Sequence, residues 1–352
     1  MGLTMRCGWA YQHVSIDSTG VFRPCCGWRI VGNEQHVDSV DQYLVGDFRR
    51  DLLDTLHNDV WPAGCEDCKL DEELDNKSLR TGAEKRYSNP LYTDAEVKFG
   101  NLCNLACAMC SPYNSSLIEK EYLKLKGQHE LFDRGFENKN AWYEDSDKLK
   151  QVARELSTRN QIRFTGGEPT VNNYLIDFLE EVQKHNTNIT IKLTTNGNNW
   201  PKKLHELLKE FKTIISVSID AYGEKNNYIR WPSNWNKIEK NVDSMLSLPD
   251  STVECGSTIA SYNVHLMEEL AQWVLKKGLT HNIDPVWTPE IFKPCNTTQE
   301  IKTQFEQFAS TYNPAQRVLK NVLAQGNGLQ QTIDFLSILD YNRNVNYRVL
   351  EL

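Results

Sequence analysis

Three cysteines within eight residues, Cys103-x-x-x-Cys107-x-x-Cys110, constrain this chain more than any other feature. Three thiolates on one tight loop can hold three irons of a cubane and leave the fourth iron open to a chelating ligand. A structural zinc loop is the competing reading. Zinc takes four ligands there, usually as two pairs, and no fourth Cys or His lies close by in sequence. The chain has ten cysteines, which in a secreted protein suggest disulfides and in a cytosolic one metal or catalysis. Their clustering favours metal: Cys65 and Cys68 form a Cys-x-x-Cys, Cys25 adjoins Cys26, and only Cys7, Cys255 and Cys295 stand alone.

The cysteine loop follows an apolar strand at 95–99, the first of six strand–helix units. Further strands are expected at 161–165, 188–195, 213–219, 252–259 and 280–287, and helices at 174–185, 201–211, 235–248 and 267–277. Such a succession builds a parallel sheet through right-handed crossovers. Chemistry in such sheets gathers at the strand C-termini, where all the motifs fall. Two more helices are expected after residue 300, at 304–311 and 329–339.

Residues 1–94 read differently. Strands at 14–16 and 21–23 flank the turn Asp17-Ser18-Thr19-Gly20, a hairpin signal. A short helix is expected at 48–56, and the polar stretch 71–90 suits a linker. The insertion 111–150, helical around 115–126, reads equally as a lid or substrate wall and as a solvated surface extension.

Composition sets limits. The net charge is −8, which disfavours a nucleic-acid partner. No apolar run approaches the roughly 18 residues that span a bilayer. The start, Met1 to Arg6, lacks an apolar stretch before a cleavage site, so a cytoplasmic protein without membrane attachment is expected.

Two more constellations sit at strand ends. Gly166-Gly167-Glu168-Pro169 offers backbone that can approach a ligand closely and a carboxylate that can receive an ammonium group; alone, it would read as a turn. Thr194-Thr195-Asn196-Gly197 closes the third strand, and Ser216 and Ser218 lie on the fourth. Each is also readable as a satisfied strand-end residue.

With these in place, Cys-x3-Cys-x2-Cys after the first strand of a six-unit βα array resembles the radical S-adenosylmethionine (SAM) superfamily signature. Met109 stands where an aromatic residue often precedes the last cysteine, and residues 95–290 follow the family order. The resemblance implies an α/β fold: a partial (β/α)6 TIM-like barrel at 91–300, a small loop-rich cysteine domain at 1–90 and a C-terminal helical extension at 301–352. It implies a [4Fe–4S] cluster on Cys103, Cys107 and Cys110, with SAM on the open iron. Reductive cleavage then yields a 5′-deoxyadenosyl radical that abstracts hydrogen from an unidentified peptide or small molecule. The electron would come from a flavodoxin- or ferredoxin-type reductant. Gly166, Gly167, Glu168 and Pro169 resemble the family's GGEP motif, which binds the methionine amine; Thr195, Asn196, Ser218 and Arg230 carry over as further SAM contacts.

The N-terminal cysteines resemble the SPASM/twitch auxiliary-cluster domain, which in relatives usually follows the barrel. Five cysteines fill only one four-ligand site, implying one auxiliary [4Fe–4S] cluster on Cys7, Cys25, Cys65 and Cys68. Cys26 is the alternative to Cys25, since adjacent side chains in a strand point oppositely, and zinc on the same thiolates is the alternative metal. Cys255 and Cys295 read as structural. The tail, 339–352, resembles the ending of stand-alone twitch-type proteins; physically it reads as a helix with a surface ion pair and no catalytic role. A proton donor or acceptor is not identifiable. A non-catalytic iron–sulfur carrier or sensor is the competing function, and the GGEP loop argues against it, because a carrier needs no amine-binding carboxylate.

Overall fold

The computed structural model describes residues 5–32, 34–74, 77–135, 140–326 and 328–352. Eight strands form: β1 (His13–Ile16), β2 (Phe22–Arg23), β3 (Asp94–Val97), β4 (Gln161–Phe164), β5 (Thr190–Thr195), β6 (Lys212–Ser218), β7 (Ser251–Ile259) and β8 (Thr280–Pro285). They make one sheet in the order β2-β1-β3-β4-β5-β6-β7-β8. β1 pairs antiparallel with β2 and parallel with β3; β3 with β4, β4 with β5 and β7 with β8 are also parallel. The expected α/β class is met as an open sheet whose end strands are β2 and β8.

The hairpin expected at 14–16 and 21–23 forms, and it joins the main sheet. His13 stands opposite Asp94 and Ile16 opposite Val97, so the N-terminal hairpin extends the parallel sheet. All four β1 residues are buried, which removes the alternation that marks a half-exposed strand.

The chain divides into two compact units, Met1–Asn101 with Glu137–Leu193 and Glu206–Thr213, and Leu102–Phe136 with Thr194–His205 and Ile214–Leu352. The first is built on β1 to β4. Its helices Ser146–Leu156 and Asn173–His185 bury the stripes Leu149, Val152, Ala153, Leu156 and Leu175, Phe178, Leu179, Val182. Asp145 and Asn172 cap these helices with side-chain oxygens, as orphan N–H groups require. Phe164 of β4 meets Phe178 edge-on at 5.5 Å. Each fully buried ring contributes about 2–3 kcal/mol of apolar burial. The expected linker instead carries two helices, Glu66–Glu73 and Leu79–Gly82. Glu72 of the first pairs with Arg80 of the second, so polar residues there hold local structure.

In the second unit, one apolar cluster gathers Ala106 and Ala108 of the cysteine loop with residues from several other segments. Ile118, Tyr122 and Leu125 come from the helix Ser116–Leu125, followed by Leu131 and Phe132. Phe335, Leu336 and Leu339 come from the helix Leu329–Arg343, and Leu350 from the turn beyond it. The stretch after the cysteines is therefore core up to Phe132. Between β6 and β7, burial alternates so that Thr213, Ile215, Val217, Val253, Cys255, Ser257 and Ile259 take one face. The opposite, half-buried face carries Ser216, Ser218, Glu254 and Thr258. Among the described residues, no helix is long and apolar enough to cross a membrane.

Candidate functional site

The cysteine loop has no regular structure of its own, and its backbone is held from two sides. Cys103 N donates to Ser116 Oγ at 3.3 Å, and Leu105 N donates to Cys103 Sγ at 3.4 Å. Ser115 Oγ donates to Leu105 O at 2.6 Å while accepting from Ile118 N to cap the next helix. From the other side, Ala106 N donates to Trp231 O at 2.6 Å and Ala108 N to Ile229 O at 2.9 Å. The backbone after the helix Gly223–Ile229 thus clamps the residues on either side of Cys107.

Burial raises both inner thiols. Cys110 is pushed up to about 12, with neighbouring Cys107 adding to the rise. Cys107 is raised by burial while the guanidinium groups of Arg230 and Arg343 pull it down. Such thiols stay neutral until a cation displaces their protons, which coordination to iron does.

Arg230 is buried and lies 2.7 Å from Asp220, which is wholly buried. Asp220 Oδ1 accepts from Thr258 N at 2.8 Å, and Asp220 O accepts from Asn263 Nδ2 at 3.0 Å. The pair is therefore fixed between β6 and β7. Tyr262 lies within the electrostatic reach of Asp220, Arg230 and Cys107, and burial raises its phenol well above the ordinary value.

At the end of β5, Asn196 Nδ2 donates to Asn104 Oδ1 at 2.8 Å and so meets the cysteine loop directly. Thr195 lies on the buried face with Ile191 and Leu193, and its Oγ1 accepts from Gly197 N at 3.2 Å. Thr194, like Ser216 and Ser218, takes the half-buried face. Sequence reasoning singled out Cys103, Cys107, Cys110, Asn196 and Arg230, which share this unit with Thr195 and Ser218. It passed over Asn104, the Ile229 and Trp231 carbonyls and Arg343. Asparagine at 104, inside the motif, was a visible signal; the carbonyls have none.

The glycine turn belongs to the other unit and is described by itself. Gly166 has φ +75° and Gly167 φ +32°, a region that favours glycine. A Cβ on Gly166 would meet Lys98 Cδ at 2.8 Å. Glu168 is 2 % exposed. Its Oε1 accepts from Thr170 N at 3.1 Å and Thr170 Oγ1 at 2.7 Å. Pro169 opens the 3-10 turn Pro169–Val171, and Asn172 Nδ2 ties the turn back to Phe99 O at 3.1 Å.

The N-terminal cysteines gather in the same unit as this turn. Cys7 precedes the helix Gly8–Gln12, Cys65 ends the 3-10 turn Ala63–Cys65, and Cys68 lies in the helix Glu66–Glu73. Cys7, Cys25 and Cys65 pack against one apolar cluster of Ala10, Trp28, Leu52 and Leu56. Burial raises Cys7, raises Cys25 strongly and brings Cys65 to about 12. Cys25 feels Cys26, Cys7 and Cys65, whereas Cys26 feels Glu96, Lys98 and Arg163. Two glycines let aromatic rings close on these loops: a Cβ on Gly8 would sit 2.4 Å from Tyr87, and one on Gly64 2.3 Å from the Trp28 ring. Cys255 is buried on β7 and Cys295 is buried in a loop.

Among the described residues, no three His, Cys, Asp or Glu side chains are grouped so as to hold one metal ion. A shared zinc draws its thiolates to about 2.3 Å from a single atom, whereas cubane thiolates each bind a separate iron. The donor chemistry at 103–110 suits the cubane: three thiols on one loop, two of them raised by burial, with guanidinium charge beside Cys107.

The sequence model of the Radical SAM superfamily matches residues 97–273, half of the chain. A GTP 3′,8-cyclase of Paenarthrobacter nicotinovorans is 26% identical over 199 residues, covering 53% of this chain and 48% of that protein. A GTP 3′,8-cyclase of Clostridium acetobutylicum is 29% identical over 143 residues, 41% of this chain and 39% of that one. The molybdenum cofactor biosynthesis protein 1 of Dictyostelium discoideum is 25% identical over 188 residues, 53% of this chain and 26% of that protein. The chain thus spans about half or less of the length of these curated relatives. Among solved structures, native anSMEcpe with bound AdoMet superposes with a TM-score of 0.47 at 16% identity, covering 64% of this chain and 62% of that one.

Proposed function

This chain belongs to the radical SAM superfamily, and from that premise we propose that it cleaves SAM reductively and abstracts hydrogen from a peptide or small-molecule substrate. Cys103, Cys107 and Cys110 would hold a [4Fe–4S] cluster. When bound, that cluster supplies the electron that splits the sulfonium of SAM, giving methionine and the 5′-deoxyadenosyl radical. The observation that carries the reading is the clamped loop: the amides on either side of Cys107 are fixed to Ile229 and Trp231, which sets the backbone from which the thiols project.

The chain's own residues then divide the work. Glu168, buried and oriented by Thr170, receives the methionine ammonium, and the glycines before it bring backbone close. Asn196 orients Asn104 and with it the start of the cysteine loop. Thr195, Ser218 and Arg230 complete the SAM contacts, Arg230 with its charge offset by Asp220. Cys7, Cys25, Cys65 and Cys68 would hold an auxiliary [4Fe–4S] cluster, which the packing of Cys7, Cys25 and Cys65 against one apolar cluster, with Cys68 acting on Cys7 and Cys65, supports. A flavodoxin- or ferredoxin-type protein would deliver the electron. The name GTP 3′,8-cyclase places those relatives among enzymes of small molecules, which supports that half of the substrate class.

The test is anaerobic reconstitution of the chain. About eight irons are expected, and 5′-deoxyadenosine should form from SAM under reducing conditions. Cys107→Ala should retain about four irons and form none. Turnover retained in that variant would move the catalytic cluster off Cys107, and a wild-type chain that binds iron but forms no 5′-deoxyadenosine would leave the iron–sulfur carrier as the better reading.

A further inference from the structure

A cavity at the C-terminal end of β8 takes no part in the SAM chemistry proposed above. Its volume is about 500 Å³, within the range of small-molecule sites. One wall comes from residues 285–296, the other from residues 321–331. Pro285 ends β8, and Trp287 stands two residues beyond it. Of the described tryptophans, Trp287 alone is exposed, at 66%. An indole left in water forgoes the burial its large area could give, so a ligand that covers it gains affinity.

The walls are fixed from behind. Val286 N donates to Ile259 O at 2.9 Å and Ser261 N to Phe292 O at 3.0 Å, which ties the first wall to the end of β7. Val286 and Phe292 belong to the same apolar cluster as Ala106 and Ala108 of the cysteine loop. Cavity and loop therefore stand on one core, within one compact unit. Thr332 Oγ1 donates to Ile291 O at 2.6 Å and joins the two walls. Asn296 Nδ2 donates to Glu290 O at 2.8 Å. A Cβ on Gly326 would lie 2.6 Å from Asn296 Oδ1, and one on Gly328 2.7 Å from Asn296 Nδ2. Glycine at both positions lets the second wall close on this amide.

The lining selects a kind of ligand. Among its described residues Lys293 is the one cation and Glu290 the one anion, and Lys293 Nζ lies 2.6 Å from Glu290 Oε2. A phosphate or carboxylate would enter without a counter-charge to receive it. Four carboxamides, Asn296, Asn321, Gln325 and Gln331, supply donors and acceptors together. A purely apolar ligand would leave them without partners. Hydroxyl groups also donate and accept at once, and the apolar face of a hydroxylated ring suits the indole.

Given the hydrogen abstraction from a small molecule proposed above, on which this rests, we propose that the cavity binds the substrate and that the substrate presents a neutral ring with adjacent hydroxyls. A saccharide and the ribose of a nucleoside share that chemistry. Trp287 takes the C–H face of the ring, and the carboxamides with the Glu290–Lys293 pair take its hydroxyls.

Calorimetry on the anaerobically reconstituted chain with SAM is the test. The probes are the methyl glycosides of glucose, galactose, mannose and N-acetylglucosamine, with uridine as the ribose source and N-acetylalanylalaninamide as a peptide counterpart. At least one hydroxylated ring should bind; a glycoside assigns a sugar, and uridine alone a nucleoside. Trp287→Ala should weaken that binding about tenfold and Gln331→Ala about fivefold. Iron content and circular dichroism should not change, because both side chains are exposed. Tyr341→Ala removes a 94% exposed ring outside the cavity and should bind as wild type does. The proposal is overturned if none of these rings binds, if the peptide counterpart binds equally well, or if Trp287→Ala loses no more affinity than Tyr341→Ala. Failure of the radical reading looks different: the wild-type chain would then form no 5′-deoxyadenosine from SAM, whatever binds at Trp287.

Discussion

Asn196 Nδ2 donates to Asn104 Oδ1 at 2.8 Å, joining the end of β5 to the residue after Cys103 across 92 positions of sequence. A side-chain bond of this kind contributes about 1 kcal/mol. Asn196→Ala should therefore lower SAM affinity roughly fivefold with iron content unchanged, as read by anaerobic calorimetry. Wild-type affinity would reduce Asn196 to an ordinary turn residue.

Glu168→Gln isolates charge from shape. The amide oxygen can still accept from Thr170 N and Oγ1, so the turn should persist. What is lost is the charge that the proposed function gives to the SAM ammonium, about 1.5–3 kcal/mol, or tenfold and more in affinity. Circular dichroism and iron content should match wild type. Full SAM affinity would leave GGEP without a role in binding.

Of the two adjacent cysteines, Cys25 is raised by burial and by Cys26, Cys7 and Cys65, whereas Cys26 is raised by burial and acted on by the charged Glu96, Lys98 and Arg163. Cys25→Ala should lose about four irons on reconstitution and Cys26→Ala none. The reverse result would move the auxiliary ligand to Cys26, and stoichiometric zinc in place of those irons would replace the cluster with a metal ion.

His281 offers a pH test. Ser257 Oγ donates to Ile219 O at 2.5 Å, so the His281 Nε2–H donates to Ser257 Oγ at 2.8 Å, and Tyr312 OH donates to Nδ1 at 3.0 Å. The imidazole is neutral, and burial lowers it from 6.5 to about 4. Between those values the unfolded chain binds the extra proton. Stability from this site is whole above pH 6.5 and declines as pH falls towards about 4, by on the order of 3 kcal/mol. Urea unfolding at pH 4.5 and 7.5 should show His281→Asn losing less on acidification than wild type; equal losses would remove His281 from the acid response.

Where the sequence was readable, the reason is periodicity. The helix Met267–Lys277 has the bounds its apolar spacing predicts, and β4 begins at Gln161 as expected. The cysteine and glycine motifs were readable because their residue types are chemically unusual at that spacing. What stayed hidden depends on partners far along the chain. β1 has no alternation because both its faces are covered. The end of the helix Glu66–Glu73 fell inside the polar linker expected at 71–90, because none of that helix's residues is buried to give an apolar stripe. Arg343 and Glu121 look like surface charges, and no local pattern reveals that each neutralises the other in the interior.

The parallel pairing of β1 with β3 bears on how the protein is made. His13 and Asp94, joined by a 2.6 Å bond, are 81 positions apart. At about 5–20 residues per second of synthesis, β1 leaves the ribosome roughly 4–16 s before its partner strand. During that interval its apolar Val14 and Ile16 have only the two-residue β2 beside them and no parallel partner. Closing so long a loop is slow, so the parallel edge of the N-terminal hairpin stays open through that stretch of translation and can be covered only once residue 97 has emerged.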